Sequence, residues 1–123
     1  MIATVPISVL LIDDDPSFRR LARRTLARTR LEVVGEADTA ASGASAARKL
    51  KPQAMLVDVG LPDRDGIALA GELSRLPWGP RIVLTSVDPD AASAEEVRLS
   101  GALAFIPKHD LPGLGVTLLQ NGA

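Results

Sequence analysis

The chain has 123 residues, the size of one folded domain, and leaves no room for a second folded module. Hydrophobic residues make up 46% but aromatics only 2%, so the core is expected to be built from Leu, Val, Ile and Ala. Fourteen Lys and Arg against fifteen Asp and Glu leave a net charge of −1, which removes the electrostatic footprint of an autonomous nucleic-acid binder.

Cysteine is absent, so there is no disulfide framework, thiolate nucleophile or cysteine zinc site, and the single His109 cannot form a histidine cluster. Any metal chemistry is therefore carboxylate chemistry. The opening MIATVPISVLLIDDD has no basic flank, and its apolar run ends at three aspartates. It reads as neither signal peptide nor membrane span, and a cytoplasmic location is expected.

Short apolar runs predict five buried strands: Ser8 to Ile12, Leu31 to Val34, Ala54 to Val57, Ile82 to Leu84 and Leu103 to Ile106. Helical spacing predicts intervening helices over Pro16 to Arg28, Thr39 to Leu50, Ile67 to Leu76 and Ala91 to Ser100, and a weaker one over Leu111 to Leu119, which carries Pro112, Gly113 and Gly115. In the first helix Phe18, Leu21, Ala22, Thr25 and Leu26 form the expected core face, and Arg19, Arg20, Arg23 and Arg24 fill most of the remainder. Apolar strands alternating with helices predict an α/β, doubly wound parallel sheet with helices on both faces, because parallel neighbours need a crossover. In such sheets functional groups gather at the carboxyl ends of the strands.

All predicted strands except the second end in polar chemistry: Asp13, Asp14 and Asp15 after the first, Asp58 after the third, Thr85 and Ser86 after the fourth, Lys108 after the fifth. A parallel sheet places these ends on one edge. Carboxylates so close repel unless a cation or a proton relieves them. Magnesium suits the set, since it takes oxygen ligands and is held by one or two carboxylates together with phosphate oxygens. Lys108 then serves as a point charge for a phosphoryl oxygen and Thr85 as a neutral donor to another. Asp58, alone at its strand end, is the best-placed nucleophile for an aspartyl phosphate.

These residues resemble the receiver domain of two-component response regulators, the CheY-like superfamily. LLIDDDPSFRRLARRTL is similar to the family's opening strand, acidic pair and first helix, LVDVGLPDRDG to its phosphoacceptor segment, and VLTS and GALAFIPK to its last two strand ends. The four motifs occur in the family's order and cover essentially the whole chain, residues 1–123, with no output domain in it.

The resemblance implies a flavodoxin-like strand order 2-1-3-4-5. It implies Asp58 as phosphoacceptor, Mg2+ or Mn2+ held by Asp14, Asp58 and the Gly60 backbone carbonyl, and Asp13 as supporting acid. Thr85 and Lys108 would bind the phosphoryl group, and Phe105 would change rotamer as Thr85 moves. The donor would be a histidine kinase or a histidine phosphotransfer protein. The output would be a population shift at the surface of the fourth helix, fifth strand and fifth helix, read by a downstream protein. Neither nucleic acid nor membrane is an expected partner, and the chain would be a monomer or a weak dimer formed on phosphorylation. Receivers commonly present the first helix to the histidine-bearing partner, which would give Arg19, Arg20 and Arg23, with Arg24, a role in partner choice.

Plainer roles suit other residues. Asp15 followed by Pro16 suits a helix cap, Asp63, Arg64 and Asp65 suit a turn, and Gly66 is expected only to permit it. Trp78 is expected as a lid on its loop and His109 as an exposed loop residue. Where many receivers have a proline after the lysine, this chain has Pro107 before Lys108 and His109 after it, and Pro107 requires the fifth strand to be an edge. Gly60 and Val87 stand two residues after the acceptor and after the threonine, positions that in the family influence how easily water reaches the phosphoryl group; both lack polar groups, so the resemblance implies slow to moderate dephosphorylation.

Three other functions compete. One is the receiver half of a longer DNA-binding regulator. Another is a magnesium phosphatase passing through an aspartyl phosphate, which wants a second acid two residues after the nucleophile, where Gly60 stands. The last is an interaction module that is never phosphorylated, which would be expected to lose the acidic pair, the acceptor or the lysine.

Overall fold

The computed structural model describes residues 5–119. Five strands alternate with five helices: β1 (Ile7–Ile12), α1 (Pro16–Leu26), β2 (Leu31–Ala37), α2 (Ala40–Leu50), β3 (Ala54–Asp58), α3 (Gly66–Leu73), β4 (Arg81–Thr85), α4 (Ala94–Ser100), β5 (Ala104–Phe105) and α5 (Leu111–Leu119). The strands form one parallel sheet in the order β2-β1-β3-β4-β5, the doubly wound α/β architecture expected. Among the described residues no helix is long and apolar enough to cross a membrane.

Two aliphatic cores sandwich the sheet. On one face Leu10, Ile12, Met55, Val57, Ile82 and Leu84 meet α2, α3 and, through Val97, α4. On the other Val9, Leu11, Leu56 and Val83 meet Phe18, Ala22 and Leu26 of α1 and Leu114 and Leu118 of α5. Alternate residues of one strand thus enter opposite cores, which is why the central strands read as unbroken apolar runs.

The boundaries differ from expectation for local reasons. The core face of α1 is the narrower row Phe18, Ala22 and Leu26, while Leu21 is 49% exposed. α1 stops at Leu26, whose carbonyl accepts from the backbone N–H and hydroxyl of Thr29, so Ala27 and Arg28 lie outside it. α4 starts at Ala94 because Ser93 and Glu96 form a reciprocal capping box. α3 ends at Leu73, and the Ser74 hydroxyl donates to the carbonyls of Gly71 and Ser100.

β2 is not a buried run. As an edge strand it alternates buried and exposed positions, and its pairing with β1 shifts between Val9 and Leu10, leaving Val34 as the extra residue of a bulge. β5 is an edge, as Pro107 requires, and is only two residues long. Trp78 is more than a lid: its indole N–H donates to the Pro52 carbonyl at 2.8 Å and ties the α3–β4 loop to the α2–β3 loop.

Candidate functional site at the carboxyl edge of the sheet

β1, β3 and β4 end side by side, with Ile12 opposite Val57 and Asp58 opposite Thr85 in the parallel ladders. Asp13, the first residue beyond β1, is held on every side. Its backbone N–H donates to the Ala37 carbonyl at 2.9 Å, and its Oδ1 accepts from the Asp15 N–H at 2.9 Å. Its Oδ2 lies 2.8 Å from Lys108 Nζ, an ionic contact without a hydrogen bond aligned on that oxygen. Asp15 caps α1 through the Ser17 N–H with Pro16 in the first turn, as the sequence indicates.

One carboxylate oxygen from each of Asp13, Asp14 and Asp58 lies within 4.8 Å of the other two. Asp13 and Asp58 are buried, and Asp14 is exposed at the mouth. Lys108 brings one positive charge, 2.8 Å from Asp13 and 3.8 Å from Asp58 Oδ1, with its ammonium 4.5 Å from the centre of the Phe18 ring. Its position is fixed by its backbone N–H, which donates to the Ser86 carbonyl at 3.0 Å. Burial first, and then the Asp13 carboxylate, push the Asp58 carboxyl up from 3.8 to about 6. The Lys108 charge and the Gly60 N–H pull it down, and Asp14 adds a further upward push. Three carboxylates against one ammonium leave negative charge that an oxygen-loving divalent cation would neutralise, so the donor set fits magnesium or manganese.

Thr85 is fully buried, and its hydroxyl has no partner among the described residues. A buried hydroxyl without a partner costs about 1–3 kcal/mol, so this one stands ready for an acceptor. The β3–α3 loop is braced around Asp58 by the Val59 N–H on the Thr85 carbonyl and the Gly66 N–H on the Val59 carbonyl, both at 2.9 Å, and by a bridge between Gly60 and Asp65. Phe105 is half-buried on β5 opposite Leu84, packed against the core of α2, α3 and α4. It also lines an open groove of about 590 Å³ with Ala92, Val97, Ala102 and Leu103.

The basic face of α1 is divided. Arg19 and Arg23 both pair with Glu36 on β2, at 2.8 and 2.7 Å, and the Arg19 side chain is only 18% exposed. Arg20 and Arg24 face solvent. His109 is exposed, and Val87 is exposed beside the site.

The turn residues of the β3–α3 loop do more than turn. Both oxygens of Asp63 accept backbone N–H groups of α2, from Ala40 at 2.8 Å and Ala41 at 3.1 Å, and these hold its carboxyl below the usual range. The acceptor loop is thereby pinned to the next helix. Asp65 caps α3 through Ile67, and Arg64 pairs with Glu72 at 2.7 Å. Gly66 does more than permit a turn: a Cβ there would lie 2.7 Å from Val59 Cα and 2.8 Å from the Asp58 carbonyl carbon, so glycine is needed for close approach to the acceptor's backbone.

The family model for the response regulator receiver domain matches residues 9–114. BvgA, a positive transcription regulator of virulence factors from Bordetella pertussis, is 32% identical over 102 residues, 83% of this chain and 49% of that protein. A protein-glutamate methylesterase/protein-glutamine glutaminase of Vibrio vulnificus is 35% identical over 104 residues, 83% of this chain and 28% of that protein. The chain therefore spans about half the length of the first of these relatives and less of the second. Among solved structures, the signal receiver domain of the response regulator NarL from Mycobacterium tuberculosis superposes with a TM-score of 0.79 at 25% identity, covering 95% of this chain and all of that one. The strand order, the acidic edge and a family match over most of the chain agree: the chain belongs to the response regulator receiver domain family.

Proposed function

We propose that the chain accepts a phosphoryl group on Asp58 from a histidine kinase or a histidine phosphotransfer protein and passes the signal on as a conformational change. The observation that carries this reading is the convergence at one edge of three carboxylates, one ammonium and a buried hydroxyl without a partner. Asp14, Asp58 and the Gly60 backbone carbonyl would hold Mg2+ or Mn2+, with Asp13 as supporting acid. When bound, the cation would supply the positive charge that offsets these carboxylates and the phosphoryl oxygens.

An Asp58 carboxylate oxygen attacks phosphorus, a P–O bond forms, the P–N bond to the donor imidazole breaks, and that nitrogen takes up a proton. Lys108, anchored on Asp13, turns toward the new phosphoryl oxygens, and the Thr85 hydroxyl donates to one of them. Phe105, half-buried beside its groove, responds to the movement of Thr85, and the surface of α4, β5 and α5 presents a different face to a downstream protein. The exposed Arg20 and Arg24, with the partly exposed Arg23, favour an acidic surface on the donor.

A signalling role is favoured over a turnover phosphatase because position 60, two residues after the acceptor, is glycine and offers no proton donor for a leaving group. The protein acts in the cytoplasm as a receiver, and whatever output it controls is exerted through protein contact. Incubation with phosphoramidate, which has the P–N bond of a phosphohistidine, tests the reading. Label is expected to enter only with Mg2+ and to be released by hydroxylamine, the behaviour of an acyl phosphate. Label stable to hydroxylamine, or taken up equally in EDTA, contradicts it.

A further inference from the structure

Asp14 is the exposed member of the acidic cluster, and no hydrogen bond among the described residues holds its carboxylate. Its position depends on the backbone that carries it. The peptide joining Asp13 to Asp14 is gripped at one point: the Asp13 carbonyl accepts from Arg19 Nη1. The other side of the same guanidinium donates from Nε to Glu36 Oε1 at 2.8 Å, and Arg23 binds Glu36 Oε2. Burial alone would raise the Glu36 carboxyl, yet the hydrogen bonds and charges of Arg23 and Arg19 hold it below the usual range, so it is a firm anion for Arg19 to lean on.

The bulge in β2 makes this contact possible. Val9 pairs with Val33 but Leu10 pairs with Gly35, so past Val34 every β2 side chain changes face. Glu36 pairs with Leu11, whose side chain enters the α1 core, and so Glu36 lies on the face where Arg19 and Arg23 stand. In an unbulged ladder Glu36 would fall opposite Ile12, on the face covered by α2.

Resting on the proposed phosphoryl-acceptor reading, we propose that Arg19 and Glu36, brought together by the Val34 bulge, act as positioning residues that hold the Asp13–Asp14 peptide so that Asp14 meets the divalent cation. The fork geometry is essential. Arg19 reaches two acceptors with two different nitrogens of one rigid planar fork, a geometry that the single ammonium of a lysine on its flexible stem does not reproduce.

Charge and position predict opposite outcomes. Removing a cation beside three carboxylates would tighten divalent-cation binding if Arg19 acted only through its charge. Losing the bracket weakens it, by about tenfold or more, the scale on which residues orienting metal ligands act.

The experiment measures free Mn2+ by electron paramagnetic resonance during titration of the 123-residue protein and of Arg19→Ala, Arg19→Lys, Glu36→Gln and, as a remote charge control on α4, Arg98→Ala. Thermal melts in EDTA run in parallel. Both Arg19 variants are expected to lose about tenfold in Mn2+ affinity at a temperature where they remain folded, and Arg98→Ala to bind as the parent does. Tighter binding by Arg19→Ala with Arg19→Lys unchanged assigns Arg19 a charge role and overturns the proposal. Lower melting temperatures with unchanged Mn2+ affinity reduce it to a packing role and overturn it too. Failure of the parent chain to bind Mn2+ overturns the phosphoryl-acceptor reading and this inference together, whereas parent binding with equal affinity in every variant overturns the inference alone.

Discussion

The Lys108 ammonium is anchored on Asp13, 2.8 Å away, and only approaches the proposed acceptor Asp58, at 3.8 Å. Both members of the closer pair are nearly buried, so removing the lysine leaves two buried carboxylates facing each other without a counter-charge. Breaking such a pair from one side costs about 3 kcal/mol. Lys108→Ala is expected to lose stability on that scale in EDTA at neutral pH, and to recover much of it in millimolar Mg2+, because a divalent cation replaces the missing charge. Urea denaturation with and without Mg2+ checks this. A loss that Mg2+ leaves untouched would mean that the carboxylates do not share the cation.

Asp58 also makes stability depend on pH. Its carboxyl is raised to about 6 in the folded chain, chiefly by burial and by Asp13, whereas the unfolded chain has the ordinary value of 3.8. The folded state therefore holds this proton more tightly. The resulting stabilisation is complete below pH 3.8 and is lost as pH rises through about 6, with an upper bound of about 3 kcal/mol. Without metal, Asp58→Asn is expected to remove that slope and to be more stable than the parent at pH 7.5 by about 1–3 kcal/mol. Denaturant midpoints from pH 4 to 8 read the difference, and an asparagine variant that tracks the parent across the range would contradict it.

Gly66 presses on the acceptor's own backbone, and a methyl group there has no flexible neighbour to displace. Gly66→Ala is expected to cost about 1–3 kcal/mol and to slow phosphoryl acceptance, since relief requires β3 to move at Asp58. Gly71→Ala in the same helix meets nothing closer than the Ser100 carbonyl at 4.0 Å and is expected to be neutral or slightly stabilising. Thermal melts and the rate of phosphoryl uptake from acetyl phosphate, measured side by side on the two variants, separate the local clash from a general aversion to alanine.

Arg20 and Arg24 face solvent on α1, away from the Arg19–Glu36 bracket. Reversing both to glutamate is expected to slow phosphotransfer from a histidine-phosphorylated protein donor several-fold, an effect that weakens as salt rises, while leaving uptake from phosphoramidate unchanged. Equal slowing with both donors would move the effect from docking to the site itself.

The parts of the site that were legible in the sequence are those that topology fixes. Once apolar strands alternate with helices, a parallel sheet puts Asp13, Asp14, Asp58, Thr85 and Lys108 on one edge whatever the loop details. The illegible parts depend on single-residue offsets or long-range hydrogen bonds. Nothing in the run Leu31-Glu32-Val33-Val34-Gly35-Glu36 says which valine is the extra one, and that choice decides the face on which Glu36 stands. Asp63 looks like any turn former until the fold brings α2 to it, and Leu21 fits a helical core rhythm that the packing of α1 does not use. Gly66 matches a turn signal, yet its reason for being glycine is a contact with the strand before it.

Asp58 as phosphoryl acceptor requires both its own carboxylate and a divalent cation. Intact-mass measurement after incubation with acetyl phosphate, with Mg2+ or with EDTA, reads both requirements at once in the parent chain and in Asp58→Asn. One added phosphoryl group, about 80 Da, is expected in the parent with Mg2+ only, and none in the variant. An adduct that persists in Asp58→Asn, or no adduct in the parent together with failure to bind beryllofluoride, would contradict it.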